Sequence, residues 1–181
     1  VKPGPVPRMW SITTSAASSG SERCHYCSYM SSIDEAQRSA TEAIASPGDW
    51  LTGAQRIGVW REARAADTNE LDQKRRRALS PNAISGSHAS TAELSAPAME
   101  VVHRTASDPG RLTRSWAAEQ IAALGEETYT ELIGVTAIVT VIDRFQRAMG
   151  RPELPLPTPA AGESTQVRPD DVGDIGAWVS Q

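Results

Sequence analysis

The chain carries two cysteines, and they form a single Cys-x-x-Cys pair, Cys24 and Cys27, in the stretch SERCHYCSYMSS. A dithiol at this spacing can cycle between thiol and disulfide, supply half the ligands of a zinc site, or sit idle in an unstructured segment. Redox work needs a thiolate, so a site must pull the cysteine pKa below its ordinary value of about 8.5. A structural zinc needs four ligands. His25 lies inside the pair, and His88 and His103 stand far along the chain without finger spacing, so metal is the weakest of the three readings.

Few other residues announce chemistry. His103, in MEVVHRTA beside Val101 and Val102, is either a proton relay facing a bundle pocket or a hydrogen-bonded structural histidine. His88, in SGSHAST, reads as a solvated loop residue, and the run Lys74–Arg77 as a solvated helix face. Asp143 and Arg144 interrupt an apolar helix, which points to an internal ion pair or to the end of burial. Glu100, Glu131 and Arg114 have no partner at a spacing that marks them as catalytic.

The elements that must position these groups read as helices. At 181 residues and 39% hydrophobic, the chain suits one domain with a substantial core. A net charge of −4 argues against general nucleic-acid binding, which demands a basic face. No run of about 18 apolar residues occurs, so no membrane span is expected. Residues 1–20 have Pro where an export signal has its apolar region, which with two cysteines points to a reducing cytoplasm.

Residues 1–30 are rich in Pro, Ser, Gly and Thr without helical or strand period, and read as a flexible leader. Met30 directly before a helix start raises the expectation that this leader is a non-native extension. Ser32 to Glu35 has the form of a capping box, and Ile33, Ala36, Ala40 and Ile44 then share one helical face. A second box, Thr52 to Gln55, opens a helix with a break near Asp67–Asn69. Further helices start at Ser95 and at Pro109, the latter ending at Gly125. Tyr129 to Met149 is apolar on nearly every side and predicts a helix buried all round, with Gly134 and Thr136 admitting close neighbours. After it, RPELPLPTPAAGE reads as an extended proline-rich strap. The expectation is an all-α bundle over 31–150 with a Pro-rich tail over 151–181, and the end at GAWVSQ raises the expectation of a piece of a longer two-lobed protein.

Four segments in this order, DWLTGAQRIGVWREARAA…RRRALSP, VVHRTASDPGRLTR, ELIGVTAIVTVIDRF and RPELPLPTP, resemble the alkylhydroperoxidase and carboxymuconolactone decarboxylase superfamily, most of all its alkylhydroperoxidase-related branch. The resemblance covers residues 49–179. It implies a helical, homo-oligomeric fold and thiol peroxidase chemistry without a cofactor, using a hydroperoxide substrate and a dithiol reductant. It assigns Cys27 as peroxidatic and Cys24 as resolving; His103, read as a proton relay on its own helix, joins them as a candidate catalytic residue. Two departures stand out. Ser31 and Ile12 occupy the positions where that motif has its relay His and Glu, and Asn69 and Asp72 align with a cysteine pair of the branch. The alternative expectation is therefore a catalytically silent relative serving as a helical oligomerisation or binding module. Lactone decarboxylation would need a general base that the sequence does not single out.

Overall fold

The structure, a computed structural model, describes residues 25–168 together with 170 and 172, and for residues 25–31 the backbone alone. The described residues contain six α-helices, two short 3₁₀ turns and no strand. The helices are α1 (His25–Ala45), α2 (Gly53–Ala65), α3 (Glu70–Arg77), α4 (Ala96–Ser107), α5 (Arg114–Leu124) and α6 (Glu126–Ala148). The all-helical expectation holds. The first helix, however, starts at His25 and runs through the expected cap at Ser32, because no Gly or Pro in HYCSYMSS stops a helix there.

Local signals set most other boundaries. Thr52 caps α2 as a full capping box, its hydroxyl accepting from Gln55 N–H while the Gln55 side-chain Oε1 accepts from Thr52 N–H. Asn69 caps α3 by accepting from the backbone N–H groups of Leu71 and Asp72. Asn69 thereby forms the break expected between α2 and α3. Gly125, at φ +84°, makes the corner between α5 and α6 that a side chain would strain.

Helices α2, α4 and α6 pack on one another around Val59, Trp60, Val101, Val102, Leu132 and Val139, all buried. Helix α6 is not buried all round. Leu132, Val135, Val139 and Ile142 face the core, while Ile138 and Val141 are 45% and 67% exposed. Neighbouring helices cover only one side of it. Gly134 is exposed and a Cβ there would meet nothing within 4 Å, so it mediates no close approach; Thr136 is buried and donates to the Leu132 carbonyl instead. The polar interruption of α6 is an internal ion pair, but with Arg64 and not Arg144. Arg64 Nε and Nη2 each donate to an Asp143 oxygen at 2.8 Å, and Trp60 Nε1 donates at 2.9 Å. Arg144 is exposed and reaches the Ala106 carbonyl.

The proline-rich segment is a strap without helix or strand, as expected. Ala160 N–H donates to the Ala45 carbonyl at 2.8 Å, and Leu154 and Leu156 rest on the core. Gly53 makes this crossing possible, since a Cβ there would come within 2.4 Å of the Ala45 carbonyl oxygen and 2.8 Å of the Ala160 one.

Candidate functional site

The fold gathers the charged residues that the sequence leaves scattered. Helix α2 contributes Glu62, α3 contributes Asp72 and Arg75, α4 contributes Glu100 and His103, and the loop between α3 and α4 contributes His88. Asp72 sits on the inner face of α3 because Asn69 starts that helix one turn earlier, and its side chain is fully buried. His103 is buried on the same α4 face as Met99 and Ala106.

These groups form a chain of alternating carboxylates and imidazoles. Glu62 Oε2 lies 3.3 Å from His103 Nε2, and His103 Nδ1 lies 2.6 Å from Asp72 Oδ2. Asp72 Oδ1 lies 3.3 Å from His88 Nε2, and His88 Nδ1 lies 2.8 Å from Glu100 Oε2. Arg75 closes the far end, donating to Glu100 Oε1 at 2.7 Å and to the Gly86 carbonyl at 2.8 Å. The interior of the chain is dry, whereas the terminal carboxylates, Glu62 and Glu100, are 16% and 15% exposed. At the Glu100 end, Arg75 and Glu100 open onto a cleft of about 590 Å³ that also includes Arg104 and Trp116.

The electrostatics follow from the packing. Burial works against ionised Asp72, but the hydrogen bond from His103 and the close positive charge of both imidazoles outweigh it and hold its pKa at about 2. Burial likewise works against the His88 cation, yet Asp72 and Glu100 raise its pKa to about 9. Glu100 is the firmer partner, because the 3.3 Å approach of His88 Nε2 to Asp72 Oδ1 lacks hydrogen-bond geometry. Glu100 is held below the usual carboxylate range despite its burial, through His88 and Arg75.

Asp72, His88 and His103 also present ligand atoms within 4.8 Å of one another, the spacing of a metal triad. The two imidazoles, however, stack with centroids 4.0 Å apart and planes at 23°. Imidazole lone pairs lie in the ring plane, so nearly parallel rings do not aim them at one point. In this geometry the cluster is a hydrogen-bonded ion network.

Of the residues assigned to thiol chemistry, Cys24 and the side chain of Cys27 lie outside the described residues. The structure describes His103, and it is doubly engaged by Asp72 and Glu62. His88 is not a solvated loop residue but 6% exposed, and Arg75, within the supposedly solvated basic run, is buried too. Sequence reading also missed Glu62 and Glu100, since their partners lie on other elements. Glu131 is structural: it accepts from the backbone N–H groups of Trp50 and Leu51 and pairs with Arg56. Of the site residues, the sequence singled out His103 by its place among apolar neighbours on α4. No family model, no curated protein and no solved structure matches this chain.

Proposed function

We propose that this protein is a proton-transfer enzyme of lyase or isomerase type, acting on a small organic substrate. One observation carries the reading: a line of closely spaced acid–base groups, Glu62, His103, Asp72, His88 and Glu100, runs from a part-buried carboxylate to a cleft. A buried, paired site of this kind moves a proton at little reorganisation cost, because Glu100 and His88 are already hydrogen-bonded and the groups behind them hold His88 in place. Glu100 is the cleft-side acid or base and exchanges its proton with His88, while His103 and Glu62 complete the network on the other side of Asp72. Asp72 stays ionised and orients both imidazoles. The superfamily resemblance supports an all-helical scaffold for such chemistry, and the network contains the kind of base that lactone decarboxylation requires.

The test is exchange of carbon-bound hydrogen in deuterated water, followed by NMR for a panel of small oxo acids and lactones. Wild-type protein is expected to exchange at least one of them faster than buffer. Glu100→Gln and His103→Gln, folded, should lose most of that rate. Absence of exchange above buffer across the panel sinks the reading.

A second reading, a helical oligomerisation module, has its own support in the exposed apolar side of α6. Ile138 and Val141 border an apolar groove of about 610 Å³ that continues onto Ile33 and Ala40 of α1. The two readings are compatible, since the groove and the ion network occupy different parts of the bundle.

A further inference from the structure

The cleft next to Glu100 contains a cation without an anion among the described residues. Arg104, on α4, is 1% exposed, and its Nη1 donates to Asn82 Oδ1 at 2.9 Å. Its Nε and Nη2 are buried and have no hydrogen-bond partner among the described residues. These two nitrogens are the side-on fork of a guanidinium, whose parallel N–H groups match two oxygens of a carboxylate or phosphate. The same chain shows the fork filled elsewhere: in Arg64 the identical pair of nitrogens holds both oxygens of Asp143.

No carboxylate among the described residues pairs with Arg104. Glu100 is committed to Arg75 and His88, and Asp108 to Arg111. A buried, unpaired charge is costly, by several kcal/mol in general, so a cation kept there marks a place where an anion is received. Two further donors on the same cleft wall are also buried and unpartnered, Arg75 Nε and Trp116 Nε1. The guanidinium carbon of Arg104 lies 5.5 Å from the Trp116 ring centre, within cation–π range. All four free groups are donors. The set therefore suits a ligand that only accepts.

We infer that the cleft beside α4 is an oxyanion-binding site, in which the Nε/Nη2 fork of Arg104, with Arg75 and Trp116, takes the carboxylate or phosphate group of a small ligand. The donor atoms are covered in the structure, so entry requires a small rotation of the Arg104 head group toward the 590 Å³ cleft. Ile84, Ala96 and Pro97 supply an apolar wall for the rest of the ligand. This site does not depend on the proton-transfer reading, and binding can be measured without turnover.

The experiment titrates the full chain at low salt with sodium benzoate, inorganic phosphate and neutral benzamide, and follows the arginine Nε–H resonances by NMR. One buried arginine resonance is expected to shift with benzoate or phosphate and not with benzamide. A shift with benzoate alone identifies a carboxylate ligand, and a shift with phosphate alone a phosphate ligand. Arg104→Lys keeps the charge but loses the fork, and should bind the effective anion about tenfold or more weakly. Arginine resonances unmoved by either anion at tens of millimolar, an equal response to benzamide, or undiminished binding by a folded Arg104→Lys protein would each overturn the inference. Where Arg104→Lys does not fold, the wild-type titration against benzamide decides.

Discussion

His103 Nδ1 and Asp72 Oδ2 meet at 2.6 Å across two helices, although the residues stand 31 apart in sequence. Each is almost wholly buried, so neither finds water in place of the other. The contact ties α3, a short helix with an exposed basic outer face, to the core helix α4.

Removing the carboxylate should therefore be expensive. Asp72→Ala leaves two buried imidazoles without their shared anion and is expected to cost about 3–5 kcal/mol of stability. Asp72→Asn, which keeps the shape and one acceptor, should cost less. Urea unfolding at neutral pH measures both. A loss under about 1 kcal/mol for Asp72→Ala, the size of an ordinary surface change, would contradict the network.

Stability should depend on pH in two separate windows. His88 has a folded pKa of about 9 against an ordinary 6.5, so its contribution is complete below pH 6.5 and disappears as pH rises through 9. That contribution is on the order of 3 kcal/mol for a side chain as buried as this one. Asp72, at about 2 against 3.8, contributes fully above pH 3.8 and is lost as pH falls toward 2. Unfolding free energies recorded across pH should show a plateau between these limits. His88→Gln should flatten the alkaline decline, and an unchanged decline in that variant would assign it to another group.

The position of Asp72 also predicts a gain of function. Replacing Asn69 and Asp72 together with Cys puts one thiol beside His103 and His88, where a thiolate is favoured. Hydroperoxide consumption with a dithiol reductant should rise above wild type. The variant loses the Asn69 cap, at about 1 kcal/mol, and the Asp72 carboxylate, a loss that the new thiolate offsets only in part, so folding of the variant is verified first. Wild-type turnover in the folded double variant would remove the link to peroxidase chemistry at this place. In the same assay Cys27→Ser is expected to match wild type; a dead Cys27→Ser would return the chemistry to Cys24 and Cys27.

The outer side of α6 leads to a prediction about assembly. If Ile138 and Val141 are covered by a second copy, wild-type protein should sediment as an oligomer at micromolar concentration. Val141→Asp, which places a charge on that surface and touches no core residue, should reduce the mass without lowering the melting temperature. A wild-type monomer would leave the groove without this role.

Elements governed by neighbours in sequence were legible. The Thr52 capping box, the Asn69 break, the Gly125 corner, the proline strap and the helical character of every segment depend on side-chain-to-backbone contacts a few residues apart. The start of α1 was misplaced, because Ser32 to Glu35 fits a cap equally well inside a continuing helix. Burial was harder to read. An apolar residue does not record whether a neighbour covers it, and so Val141 and Ile138 looked like core. The site was hardest, since Glu62, Asp72, His88, Glu100 and His103 come from four separate stretches with no shared period. Composition and local pattern determine that this chain folds as helices and where most of them stop. Only the packing of α2, α3 and α4 decides which charges lose their water, and a charge out of water must find a partner at a distance the sequence does not encode.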